Sequence, residues 1–160
     1  MNNTIHSSDD FEGMRKAGNL AASTLDLLVE KVKPGVSTEE LDNIAFDYIV
    51  RHGGLIAPLF YKGYPKSVCT SINHVICHGI PSSRILENGD IVNIDVTVIV
   101  DGWHGDTSRM FPVGKINAKA QKLIDCTFHA MHEGINAAQP DATLGDIGSA
   151  IQTYAEKQNY

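Results

Sequence analysis

Two aspartates are the residues of this sequence best placed to do chemistry. Asp95 and Asp106 stand on either side of Asp101-Gly102, within the segment from Gly89 to Phe111. The run from Ile91 to Val100 is rich in β-branched residues and reads as a strand. Asp-Gly suits the two-residue turn of a hairpin. With that turn, Val100 pairs with Trp103, Asp95 with Ser108 and Thr97 with Asp106. Side chains alternate along a strand, so Asp95, Thr97, Asp106 and Ser108 share one face. The two aspartates become diagonal neighbours with Cα atoms roughly 7–8 Å apart. A metal ion fits between carboxylates at that spacing.

Two carboxylates on one sheet face repel each other. A shared proton with a raised pKa relieves that cost, and so does a cation. The plainer alternative is that one aspartate simply faces water. Val92, Ile94, Val96 and Val98 form the opposite face and read as the core side. The aspartate face is then free to line a cleft.

The elements that must position this hairpin can be read from periodicity and caps. Residues from about Asp9 to Val32 read as a helix, capped by Ser8, Asp9 or Asp10, with Leu20, Leu25, Leu28 and Val32 at helical spacing. Lys33-Pro34-Gly35 ends it. Ser37 with Glu40 forms a capping-box pattern and opens a second helix through about Arg51. Its apolar face is Leu41, Ile44, Ala45, Tyr48 and Ile49. Short strands are expected over Leu55 to Phe60 and Val68 to Ile72, followed by the Ile91 to Met110 hairpin. A third helix is expected from about Asn117 to Ala138 and a fourth from about Thr143 onward.

The last two helices resemble the first two. Lys33 to Leu41 aligns with Gln139 to Ile147 at a constant offset of 106 (140 − 34, 147 − 41), and Tyr48 falls on Tyr154. This register points to a helix–helix–sheet unit present twice, although two amphipathic helix pairs can also look alike by chance. On this register Tyr160 is the counterpart of Gly54.

Composition narrows the function class. With 160 residues, one domain is expected. A hydrophobic fraction of 42% and a charged fraction of 20% fit a soluble globular protein. The net charge of −6 and the lack of a Lys/Arg run argue against an electrostatic nucleic-acid binder. The sequence has neither a membrane-spanning apolar stretch nor a signal-peptide pattern. Three cysteines, Cys69, Cys77 and Cys126, without Cys-x-x-Cys spacing, argue against a disulfide framework or a zinc ribbon. A cytoplasmic location is the simplest expectation.

Four segments together carry a family resemblance: Tyr64 to Asn73, Val75 to Pro81, Asn88 to Thr97 and Asp101 to Ser108. With these motifs the chain, from about Phe11 to Tyr160, resembles the type I methionine aminopeptidases. The resemblance implies an α+β pita-bread fold, here the first helix–helix–sheet repeat plus the opening helices of the second. It implies one C-terminally incomplete catalytic domain over residues 1–160. It also implies two divalent metal ions (Co, Mn, Fe or Zn), with Asp95 and Asp106 as two of five protein ligands. The other ligands, one histidine and two glutamates, are expected beyond Tyr160. His78, in Cys77-His78-Gly79-Ile80-Pro81, matches a residue that contacts substrate at the scissile peptide and assists the chemistry. Tyr61, Tyr64 and Cys69 match residues that line the methionine side-chain pocket.

The implied function is removal of the initiator methionine from nascent proteins. The implied partners are Met-peptides, met at the ribosome, with no direct nucleic-acid or membrane contact, and the family is monomeric. The 160 residues alone are expected to be a weak or inactive peptidase, because three ligands are missing. The alternatives are a non-catalytic pita-bread binding protein or pseudoenzyme fragment, and an enzyme assembled in trans. A proline dipeptidase of the same fold matches the His78 and Tyr64 segments less well.

Other polar residues invite blander readings. His129-x-x-His132-Glu133 matches no zinc-peptidase pattern and reads as a solvated or partly buried helix face. His74 reads as a surface residue and Cys77 as a packed one. His104 shares strand parity with Asp106, which allows it a supporting role. Trp103 has the opposite parity and reads as core.

Overall fold

The computed structural model describes residues 5–160. They form two compact units, one ending at Ile116 and one running from Asn117 to Tyr160. The first unit contains helices α1 (Ser8–Leu28) and α2 (Thr38–Arg51), then strands β1 (Leu55–Ile56) and β2 (Cys69–Ile72). Strands β3 (Ile91–Val100) and β4 (Trp103–Pro112) follow.

Side-chain caps set where the helices begin. Ser7, not Ser8, Asp9 or Asp10, caps α1: its hydroxyl accepts from Asp10 N–H, and the Asp10 carboxylate accepts from Ser7 N–H at 2.8 Å. The correction is one residue, because the box needs its acidic partner three positions on. Ser37 caps α2 by accepting from Glu40 N–H at 3.1 Å. The expected strand from Leu55 to Phe60 shortens to Leu55–Ile56. Pro58 follows, and Phe60 adopts φ 67°, a left-handed conformation no strand can hold.

β3 is the centre of an antiparallel sheet. β4 pairs along its whole length, while β1 and β2 share the other edge, β1 against Val98 and Ile99 and β2 against Val92 to Asp95. The hairpin register is the one the Asp-Gly turn dictates: Val100 opposite Trp103, Thr97 opposite Asp106, Asp95 opposite Ser108. Asp101 and Gly102 take φ 51° and 84°, the two positive angles of a type I′ turn.

One face of β3 makes the core. Val92, Ile94, Val96 and Val98 are fully buried, in a cluster with Leu25 and Leu28 of α1 and Leu41, Ala45 and Ile49 of α2. The helix layer approaches β4 so closely that a Cβ on Gly105 would stand 2.2 Å from the Ala17 carbonyl carbon. Only glycine fits there. Trp103 lies on this same side, against Gly13, with its ring edge-to-face to His6 at 5.6 Å. It is only partly buried, because it stands at the first position of β4, beside the turn and against the first turns of α1.

The second unit is a helix pair, α3 (Ala118–Ala137) and α4 (Leu144–Lys157). Both ends of α4 fall 106 positions after those of α2 (144 − 38, 157 − 51), and its cap Thr143 corresponds to Ser37. A groove of about 510 Å³ on this pair is lined by Thr127, Ala130, Met131, Gly134, Ile147, Ile151 and Ala155. Those positions correspond to Ala21, Thr24, Leu25, Leu28, Leu41, Ala45 and Ile49, which are buried in the first unit. The repeat thus extends to which face is apolar, not only to where the helices end. His129, His132 and Glu133 are exposed on α3, as expected of a solvated face.

Candidate active site

The sheet face away from the helices carries the polar residues. Asp95 is half-buried, and Asp106 lies diagonally across the ladder from it on the same face. Thr97 Oγ1 donates to Asp106 Oδ1 at 3.2 Å, which fixes that carboxylate beside the strand. Burial pushes the Asp95 carboxyl above its ordinary value of 3.8, and the adjacent Asp106 pushes it further up. His78 acts in the opposite direction on the same group.

A cleft of about 810 Å³ opens over this pair. All six site residues expected from the sequence line it: Tyr61, Tyr64, Cys69, His78, Asp95 and Asp106. Thr97 and His104 line it too, as strand parity had implied. Tyr61 is mostly exposed on the tight turn Tyr61–Gly63, where Lys62 takes φ 48°. His78 is exposed at the cleft wall and holds φ 55°. Cys69 is buried on β2, opposite Asp95. Burial pushes its thiol up, so it presents a neutral sulfur rather than a nucleophilic thiolate.

Tyr64 is held as a neutral phenol. Burial raises its pKa well above the ordinary tyrosine range, with smaller contributions from Cys69, Asp42 and Asp95. Its hydroxyl reaches the Val68 carbonyl at 2.9 Å and the Gly79 carbonyl at 3.1 Å.

Two features were not anticipated. Asp42, only 4% exposed, accepts from Ser67 N–H at 2.7 Å and Val68 N–H at 3.0 Å, and so anchors the entry to β2 on α2. The available signal was a carboxylate on the apolar stripe of Leu41, Ala45 and Ile49. Cys77 is exposed, not packed, as are its neighbours Val75 and Ile76. The chain turns away from the sheet at Asn73, which adopts φ 52°. His74 is exposed, as expected.

The donor chemistry fits a divalent cation. Two carboxylates converge on one sheet face, and a cation between them would relieve their repulsion. They do not complete a site by themselves: among the described residues no group of three or more His, Cys, Asp or Glu side chains is placed to hold a metal.

Comparison with known proteins agrees with this geometry. Residues 12–160 match the model of metallopeptidase family M24. The chain is 58% identical over 156 residues to a methionine aminopeptidase of Rickettsia prowazekii, covering 98% of this chain and 60% of that protein. It is 50% identical over 159 residues to the methionine aminopeptidase of Escherichia coli strain K12, again covering 98% and 60%. The crystal structure of the Rickettsia prowazekii methionine aminopeptidase superimposes with a TM-score of 0.97, covering 98% of this chain and 63% of that one. The chain therefore spans about three-fifths of the length of these relatives. With its open antiparallel sheet flanked by helices, its paired aspartates and this likeness, the chain belongs to metallopeptidase family M24 and has the pita-bread fold.

Proposed function

We propose that this chain carries the first half of a methionine aminopeptidase active site, within one pita-bread domain, and that the site removes the initiator methionine from nascent chains in the cytoplasm and at the ribosome. The observation that carries this reading is Asp95 beside Asp106 in one cleft with Tyr61, Tyr64, Cys69 and His78. Two divalent ions held by Asp95, Asp106 and further donors would supply an activated water and a polarised peptide carbonyl. Oxygen donors of this kind, with imidazole among the further ligands, suit Mn, Fe, Co or Zn.

The residues of this chain have distinct tasks. Asp95 and Asp106 would hold the cations and so set where the reacting peptide lies. His78, at the cleft wall, hydrogen-bonds the scissile peptide and favours its tetrahedral form. Tyr61, Tyr64 and Cys69 offer two aromatic faces and a thiol, surroundings that suit the polarizable thioether of methionine. Among the described residues no helix is long and apolar enough to cross a membrane, and the substrate is taken from solution as a peptide N-terminus.

These residues alone make a weak peptidase, because two carboxylates balance too little of the charge of two divalent ions. The test is methionine release from a Met-Ala-Ser peptide in Mn(II). It is run on the 160-residue chain and on the protein as its own cell makes it. The reading predicts release by the cellular protein, abolished by Asp106→Asn, and little or none by the 160 residues. Release that survives Asp106→Asn would refute it.

A further inference from the structure

His78 reaches the cleft from a short loop, and the residue after it is clamped. The Gly79 carbonyl accepts from Thr70 N–H at 2.8 Å and from the Tyr64 hydroxyl at 3.1 Å. The Gly79 N–H donates to Ser71 Oγ at 3.1 Å. Ser71 is 4% exposed on β2, so that bond is shielded from water. A Cβ on Gly79 would stand 2.2 Å from the Thr70 carbonyl oxygen, so only glycine allows the loop to lie this close to the strand.

The clamp has its own footing. The Tyr64 hydroxyl has one proton and divides it between the Gly79 carbonyl and the Val68 carbonyl, 2.9 Å away, while Val68 N–H is held by the buried Asp42. A chain of contacts thus runs from α2 through the entry to β2 and the Tyr64 hydroxyl to the Gly79–Ile80 peptide, while Ser71 holds the His78–Gly79 peptide itself. The His78 backbone is left-handed, at φ 55°, a conformation a non-glycine residue keeps only when its surroundings enforce it.

We propose that Ser71 and the Tyr64 hydroxyl are positioning residues, which set the His78 imidazole in the cleft through their bonds to Gly79. This rests on the reading of His78 as the group that meets the scissile peptide. It separates two roles of Tyr64: the ring lines the cleft, while the hydroxyl faces backbone carbonyls. An imidazole misplaced by about 1 Å meets the reacting peptide poorly, and a misplacement of that size costs up to about a hundredfold in rate.

The test uses Ser71→Ala, Ser71→Thr and Tyr64→Phe in the Mn(II)-loaded protein as its cell makes it, each alone and combined with His78→Ala. Ser71→Ala and Tyr64→Phe should lower kcat for a Met-peptide by roughly tenfold or more with KM within about twofold, and Ser71→Thr should restore most of the loss. In the His78→Ala background the same changes should cost nothing further. Equal losses in both backgrounds would mean a general structural role and overturn the proposal. Amide exchange at Gly79 and the His78 ring resonances are followed in the 160-residue chain. They should change in Ser71→Ala and Tyr64→Phe, and an unchanged loop overturns the clamp. If the cellular protein releases no methionine while the loop responds as expected, it is the peptidase reading that fails and the clamp that stands.

Discussion

Asp95 and Asp106 lie diagonally across the β3–β4 ladder on one sheet face, Asp95 half-buried and Asp106 exposed. The Asp95 carboxyl is raised above 3.8 by burial first and by Asp106 second. A carboxyl with a raised folded pKa costs stability once it ionises. The cost is absent below 3.8 and complete above the folded value. Asp95→Asn should therefore raise the thermal midpoint of the metal-free chain at pH 7, with the gain shrinking towards pH 3. Melting curves at the two pH values check this. A lower midpoint at pH 7 would mean that the pair is not strained.

Asp90 should behave oppositely. Burial opposes its ionisation, but Glu87 N–H, the Asn73 amide and Arg84 outweigh burial and hold the carboxyl below its ordinary range. Its stabilisation is present above the unfolded value of 3.8 and is lost as pH falls through the lower folded value. Asp90→Ala should cost about 1–2 kcal/mol at pH 7, since it removes the acceptor of three hydrogen bonds whose donors water can partly reach. Urea denaturation at pH 7 and at pH 2.5 should show the cost shrinking in acid.

The two helix pairs of the repeat give a paired prediction. Leu25 and Met131 occupy equivalent positions, yet Leu25 is 1% exposed and Met131 44%. Leu25→Ala should cost about 3 kcal/mol, and Met131→Ala less than about 1 kcal/mol in these 160 residues. If the groove around Met131 takes a sheet in longer proteins, as the face around Leu25 does here, Met131→Ala should cost as much as Leu25→Ala there. Chemical denaturation of both variants in both lengths decides it.

Gly105 should tolerate nothing larger. Its missing side chain lets the Ala17 backbone approach β4. Gly105→Ala should destabilise by about 2–3 kcal/mol, as overpacking does, and should move α1 away from the sheet. A crystal structure of the variant with α1 unmoved, or an unchanged denaturation midpoint, would contradict this close approach.

Much of this was legible in the sequence for local reasons. The Asp101-Gly102 turn set the register of β3 and β4, and period-two alternation then put Asp95, Thr97 and Asp106 on one face. Ser37 and Thr143 marked helix starts because a cap bonds within three residues. What escaped depends on distant partners. Asp42 meets Ser67 and Val68 across 25 and 26 positions, and no local pattern encodes that. Cys77 was expected to pack because free cysteine usually does, but Asn73 turns its segment outward. Trp103 had the right parity for the core but stands at the end of a strand, where burial fades. The roles of His78, Tyr61, Tyr64 and Cys69 came from resemblance, since their shared cleft is assembled from separate loops and strands.

The most direct test of the central claim is calorimetric titration of Mn(II) into these 160 residues, with Asp95→Asn and Asp106→Asn alongside. A metal-ligating pair should give weak but measurable binding, and either substitution should weaken it at least tenfold. Equal affinity in all three proteins would show that the paired aspartates do not hold the metal.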